Sequence, residues 1–365
     1  MPLGETIDMS TSKVTQGPAN GQFLRFVQLV LFKPGNPTGI NLTGGGTNAQ
    51  GIPIEPLRVR FEVRASDVET PNTLVCRVYN LAPNTMNQIV GSTQVNIGDT
   101  FPDAQGNIPA QQGPNSGFTR VVLTAGYVNG NQGTIFEGNI KRYGIGRERN
   151  VDSYLDIYAG DGDLAYIQSV INQSFPKGTT DSQLLSALAK SMGIPVDKNA
   201  DGFLATGGVF PRGKVQFGMA RDFVRNIARN HDCRWSIQNG ALTLIPNTGY
   251  LPGQAVKINS ASGMIGTPEQ TDNGITVRCY LNPLIKIGAQ IQINNADINK
   301  QVVKSQFFPN YASQYYPATT TNDGFYRVLV AEHVGDTRGN DWYTELTCLD
   351  IDPSSSASNS VLLNG

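Results

Sequence analysis

Residues 261–293 read ASGMIGTPEQTDNGITVRCYLNPLIKIGAQIQI, and the alternation inside this stretch decides the fold class. Ile275, Val277, Cys279 and Leu281 take every second position, separated by Thr276, Arg278 and Tyr280. That is the period of a strand with one buried face. Leu281-Asn282-Pro283 interrupts it, because Pro283 has no backbone N–H and biases Asn282 toward extended geometry. Alternation resumes through Ile287, Ala289, Ile291 and Ile293. The residues alone predict an antiparallel pair inside a barrel or sandwich.

The same signature recurs outward from there. Leu57, Val59, Phe61 and Val63 alternate with Arg58, Arg60, Glu62 and Arg64, giving one apolar and one charged face. Strands are also predicted at 23–32 and 74–79, and a short helix at 84–90. Residues 118–128 and 133–140 read as a hairpin turning at Asn129-Gly130. The stretch 153–159 adds a strand with Leu155 and Ile157 on one face and Tyr154, Asp156 and Tyr158 on the other. At Gly160 the period changes. Asp163 is placed to cap a helix carrying Leu164, Ile167, Val170 and Ile171. A second helix starts near Asp181, shows Leu184, Leu185, Leu188 and Met192, and stops at Gly193. A third spans 219–229, with Phe223, Val224 and Ile227 inward. A hairpin across Asn239-Gly240 follows, and 325–333 with 342–350 form the closing pair.

The order Gly263-Met-Ile-Gly266-x-Pro268, Gly274-Ile-x-Val277, Leu281-Asn282-Pro283 and Gly288 before a final strand resembles the C-terminal barrel of baseplate hub proteins of tailed bacteriophages. Phe61-Glu-Val-Arg, Pro71-Asn-Thr-Leu and Tyr79-Asn-Leu resemble the first barrel of that family. The resemblance implies a mainly β chain with an α+β insert, two similar antiparallel β-barrel domains flanking a small helical and β domain. The expected boundaries are an arm at 1–20, a first barrel at 21–159, the small domain at 160–246, a second barrel at 247–353 and a tail at 354–365. It also implies a homotrimer in which two barrels per copy imitate sixfold symmetry, joining a tail tube protein to a central spike. Baseplate wedge proteins and a tape measure are further implied partners. The expected location is the virion, after assembly in the bacterial cytoplasm, and the spike is expected to be a separate chain. Two other readings stay open: a receptor- or carbohydrate-binding virion protein, for which Tyr311, Tyr315 and Tyr316 suit sugar stacking, and the hub of a phage-related secretion apparatus.

Composition narrows the chemistry. With 28 Lys and Arg against 29 Asp and Glu, the net charge of −1 gives no basic field for nucleic acid, so no sequence-specific binding of it is expected. The 40 glycines and 21 prolines in 365 residues suit many short strands joined by turns. No apolar run reaches the length of a membrane-spanning helix. Cys76, Cys233, Cys279 and Cys348 are far apart and read as reduced core thiols. His231 is expected to compensate a helix C-terminus and His333 to lie at the surface. Residues 208–214 imitate a phosphate loop, but Val215 replaces the hydroxyl that would hold magnesium and Pro211 has no N–H to give. Asp197, Asn199 and Asp201 match half a calcium loop, with Gly208 at the position of its bidentate Glu. The carboxylates of Asp152, Asp156, Asp161 and Asp163 could serve a cell-wall hydrolase, yet their places on a strand face and at a helix start favour solvation and capping. No enzyme activity, metal or cofactor is expected. The residues favoured for contacts with partners are Lys141, Arg142, Arg147, Glu148 and Arg149 in a loop at 141–149, and Asp336, Arg338 and Asn340 in a loop at 335–340, because charged hairpin tips occur in both outer regions.

Overall fold

The computed structural model describes residues 24–44, 56–90, 118–148, 151–204, 209–271, 274–293 and 324–350. Strand β3 (Val59–Ser66) shows how the sequence period becomes structure: Val59, Phe61 and Val63 are buried, while Arg60, Glu62 and Arg64 are exposed. It pairs with β4 (Thr73–Tyr79), which pairs with β7 (Asp152–Gly160). Next come β6 (Gln132–Glu148), β5 (Arg120–Tyr127), β1 (Arg25–Phe32) and the two-residue β2 (Ile40–Asn41), every contact antiparallel. A short helix, α1 (Pro83–Val90), follows β4, and its buried Ile89 joins the same core as Leu29, Phe61, Leu123 and Leu155.

The last region adds β13 (Met264–Thr271), β14 (Gly274–Tyr280), β16 (Phe325–Asp336) and β17 (Trp342–Asp350). Strand β16 then pairs with β3, from Val330 opposite Ser66 to Asp336 opposite Arg60. The strands of both outer regions therefore belong to one sheet, in the order β13-β14-β17-β16-β3-β4-β7-β6-β5-β1-β2. The described hydrogen bonds do not close either half into a barrel. Two short strands, β12 (Val256–Ile258) and β15 (Gln290–Ile293), pair with each other in parallel, and β15 reaches the start of β16.

The stretch that opened the sequence reading behaves differently from its expected pairing. β14 has the foreseen burial, with Ile275, Val277 and Cys279 inward, but its partners are β13 and β17, not β15. The cause lies at 281–288. The Asn282 side chain accepts from the Leu284 N–H at 3.0 Å, and Ile285 and Ile287 are buried, so the chain turns down into the core instead of folding back along β14. The missed partner, β13, carries Pro268 and a register shift between Ile265 and Glu269, which hid its alternation.

Between the outer regions sits a small unit with its own core around Leu185, Leu188, Val224 and Trp235. It contains α2 (Asp163–Gln168), β8 (Val170–Phe175), α3 (Asp181–Met192), α4 (Ala200–Leu204), β9 (Lys214–Met219), α5 (Ala220–Asn230), β10 (Cys233–Gln238) and β11 (Ala241–Pro246). Helix α3 follows the sequence closely. Thr180 and Gln183 form a reciprocal capping box, and Gly193 ends the helix at φ 69°. Helix α2 does not: its N-cap is Gly162, not Asp163, and it stops at Gln168. Leu164 and Ile167 point outward, whereas Ala165 and Tyr166 are buried, and Val170 and Ile171 belong to β8. The Tyr166 ring stacks on Trp235 at 5.2 Å, which fixes the inward face of so short a helix. At the β10–β11 turn, Asn239 (φ 51°) and Gly240 (φ 77°) both take the left-handed conformation foreseen for an Asn-Gly hairpin.

Candidate functional site

The residues favoured as an assembly surface fall into two groups, and neither is the free loop expected. Strand β6 runs on through Lys141, Arg142, Arg147 and Glu148, so these lie on a strand and not in a loop. Arg149 lies outside the described residues. A register shift between Ile140 and Arg142 leaves Lys141 as a bulge, from which its Nζ reaches Asp163 Oδ1 at 2.8 Å. A Cβ on Gly160 would meet the Lys141 side chain at 2.5 Å, so glycine there leaves room for this tie between sheet and small unit. The Arg142 guanidinium lies 4.1 Å from the Tyr158 ring centroid. Glu148 stands opposite Asp152, 3.9 Å from Arg77.

In the second group, Asp336 ends β16 and only 337–341 forms the tip. Arg58 grips Asp336 through Nε (3.1 Å) and Nη2 (2.6 Å), and the Arg338 N–H donates to the same carboxylate at 2.9 Å. Burial pushes the Asp336 carboxyl up, but Arg58 and the backbone N–H groups of Arg338 and Gly339 outweigh it and hold it below its ordinary value. Arg25 donates to the carbonyls of Asp336 and Gly339 at 2.5 Å and of Asn340 at 3.4 Å, and Arg338 donates to the Pro56 carbonyl at 3.2 Å. The Arg25 guanidinium also lies over Trp342, whose ring meets Phe61 edge-on. Charge at this tip therefore locks the last region onto the first within one chain. Sequence reasoning missed Arg25 and Arg58 because a contact across about three hundred residues leaves no local pattern.

One face of the large sheet stays open to solvent. A single row crosses seven strands: Tyr280, Tyr343, Val334, Glu62, Val75, Tyr158 and Arg142 are consecutive neighbours by register. Flanking rows carry ion pairs, Arg278 with Glu345 at 2.6 Å and Arg77 with Asp156 at 2.7 Å. Arg58, Arg77 and Arg278 also stack over Tyr79, Tyr154 and Tyr343. On this surface the charges largely answer one another.

Several groups weighed for catalysis have structural partners. His231 caps α5, as expected, and its Nε2 lies 2.9 Å from Asp181 Oδ2 at the start of α3. His333 contradicts its expected surface place: it is 4% exposed, with Nδ1 2.8 Å from Thr344 Oγ1, because it falls on the inward side of β16. Burial holds its imidazole down at about 3, with Lys286 contributing, so it is neutral. Asp161 is likewise buried, not solvated; it accepts from the Gly240 N–H at 3.0 Å, and burial pushes its carboxyl up to about 7. Asp152 accepts from the Asn80 amide at 2.8 Å. All four cysteines are buried and unbridged, and burial raises each thiol. The Asp197 carboxylate accepts from the Asn199 N–H at 2.8 Å, a local turn. Among the described residues no three His, Cys, Asp or Glu side chains cluster as metal ligands, and no helix is long and apolar enough to cross a membrane. Gly208, Tyr311, Tyr315, Tyr316, the arm at 1–20 and the tail at 354–365 lie outside the described residues.

Several solved structures are similar to this chain. A 43 kDa tail protein of prophage MuSo2 from Shewanella oneidensis is similar at 9% identity and a TM-score of 0.49, over 90% of this chain and 99% of that one. A tail protein from Neisseria meningitidis MC58 is similar at 8% identity and a TM-score of 0.47, over 90% and 97%. An Escherichia coli component of the type VI secretion system is similar at 7% identity and a TM-score of 0.42, over 88% and 77%. No curated protein sequence matches. The model of the family described as "Baseplate hub gp41" matches residues 51–326, a span that takes in β3, the small unit and the stretch 261–293. The chain belongs to that family, the baseplate hub proteins of phage tails.

Proposed function

We propose that this hub protein works as a homotrimeric ring, without enzymatic activity, that joins a tail tube to a central spike in the virion. Each copy would contribute two barrel-like halves, so that three chains offer six similar units to a sixfold tube and a threefold face to a trimeric spike. Wedge proteins and a tape measure would meet the same ring. The observation that carries the reading is the β3–β16 seam. It joins the two outer halves in one sheet, as a body spanning two of six positions must be joined. The repetition supports it: each half contains a long hairpin with a register shift near its base, between Ile140 and Arg142 in one and between Val328 and Val330 in the other. The test is the mass of the purified protein in solution with image averages of the particles. Three chains with threefold order are expected. A twofold dimer, or halves that fail to superpose in an experimental structure, would sink it.

A further inference from the structure

Two Asn-Gly pairs lie among the described residues, Asn129-Gly130 and Asn239-Gly240, each at a hairpin turn. This dipeptide has a chemistry of its own. The peptide nitrogen after an Asn can attack that residue's side-chain amide carbon, and glycine, with no Cβ, leaves the approach open. Attack needs a peptide nitrogen that has lost its proton and a backbone free to bring it over the side chain. The surroundings of the Gly130 and Gly240 nitrogens therefore decide which pair reacts.

At the β5–β6 turn, Asn129 is exposed. The Gly130 N–H donates to the Tyr127 carbonyl at 3.1 Å, a neutral bond closing the turn. That carbonyl also accepts from the Gln132 amide at 2.9 Å, so it keeps a donor when Gly130 lets go. At the β10–β11 turn, the Gly240 N–H donates to the Asp161 carboxylate at 3.0 Å, and Asp161 is 1% exposed. The Asn239 N–H bonds to the same carboxylate. Bonds to an ionised group are roughly twice as strong as neutral ones. A Cβ on Gly240 would meet Glu137 Oε1 at 3.3 Å, so a second carboxylate, paired with Arg120, stands beside this peptide. Both carboxylates oppose the negative charge that a deprotonated peptide nitrogen carries. Burial pushes the Asp161 carboxyl up to about 7, so it is ionised at the mildly alkaline pH that favours such attack.

We propose that Asn129 is a site of spontaneous deamidation and that Asp161 protects Asn239 from the same reaction. The Gly130 nitrogen gives its proton to solvent and bonds to Asn129 Cγ. The Cγ–Nδ2 bond then breaks, and ammonia leaves with a proton taken from solvent. Water opens the cyclic imide at either carbonyl, giving aspartate or isoaspartate, with no oxidation or reduction. The turn gains a negative charge, and in the isoaspartate product the main chain gains a carbon. The inference is independent of the ring reading.

Peptide mapping by mass spectrometry during a long incubation at mildly alkaline pH tests it, on the folded chain and on the same chain in guanidinium chloride. Unfolded, the two pairs share their chemistry and are expected to convert at similar rates. Folded, Asn129 is expected to convert about tenfold faster than Asn239, a ratio that one bond to an ionised group can supply. An Asp161→Ala chain, with its Tm showing that it folds, should raise the Asn239 rate by the same factor and leave Asn129 unchanged. Equal rates at the two sites in the fold, or an Asn129 that stays intact there while the unfolded chain converts, would overturn the proposal. An unchanged Asn239 rate in folded Asp161→Ala would overturn the part given to Asp161. Should that variant fail to fold, the comparison of folded and unfolded native chain still decides.

Discussion

Arg327 is wholly buried, and three parts of the chain converge on it. Its Nη1 donates to the carbonyls of Pro246, Asn247 (3.0 Å) and Gly249 (3.3 Å), which tie the exit of the small unit to β16. Its Nη2 lies 3.7 Å from Asp67 Oδ2, which also receives Arg234 at 3.4 Å. Burial pushes the Asp67 carboxyl up, while Arg234 and Arg327 pull it back. Removing one member of such a set strands the others without water, so Arg327→Met should lower unfolding free energy by about 3–5 kcal/mol. An unchanged midpoint in denaturant would refute this. Two buried titratable groups give opposite pH dependences. His333 stays neutral in the fold down to about 3, whereas unfolded histidine protonates below about 6.5. The unfolded chain therefore binds more protons in that window, and His333 removes stability as pH falls through it. Asp161 works the other way: with its folded value raised to about 7, the fold binds the extra proton, and stability is lost as pH rises from about 4 to 7. Asp161→Asn should flatten that loss in unfolding curves taken at several pH values, and His333→Gln should flatten the acid limb. Equal slopes in native and variant proteins would contradict both assignments.

Single elements depend on chemistry that the sequence shows with varying clarity. The box of Thr180 and Gln183 satisfies backbone groups at the start of α3, so Thr180→Ala should cost about 1 kcal/mol in thermal or denaturant unfolding. Gly274 opens β14 at φ 155°, and a Cβ there would lie 1.9 Å from the Cys348 carbonyl oxygen. Gly274→Ala should add about 1–3 kcal/mol of backbone strain and press β14 off β17, seen as faster amide exchange along both strands. Exchange unchanged from the native protein would show that the sheet yields there. Helix α3 and strands β3 and β14 were legible because one periodic face meets one core. Helix α2 was misread because six residues are too few to establish a helical stripe, and the apolar side chains that suggested one lie partly outside and partly on β8.

At the scale of the molecule, the two outer halves depend on each other. Strand β3 uses one edge for β4 and the other for β16, so a chain ended after residue 246 leaves β3 with an open edge and Asp67 without Arg327. An exposed central edge is a template for aggregation. Such a chain is expected in the void volume on gel filtration, and a soluble monomer with native exchange protection in β3 would show the halves to be independent. The Arg58–Asp336 pair is a partly exposed part of the same seam.

By itself, the sequence determined that this chain is mainly β, which faces of β3 and β14 turn inward, where α3 and α5 lie, and which family its Gly-Pro-Asn punctuation matches. Those are consequences of side-chain period and backbone restriction, which act over a few residues. Only the tertiary structure decided that both halves share one sheet, that β14 lies between β13 and β17, and that Arg25 and Arg58 tie the tip at 337–341 to the first half. Strand partners and long-range ion pairs are chosen by which edges and charges meet after collapse, and every strand here carries an edge chemically equivalent to its neighbours.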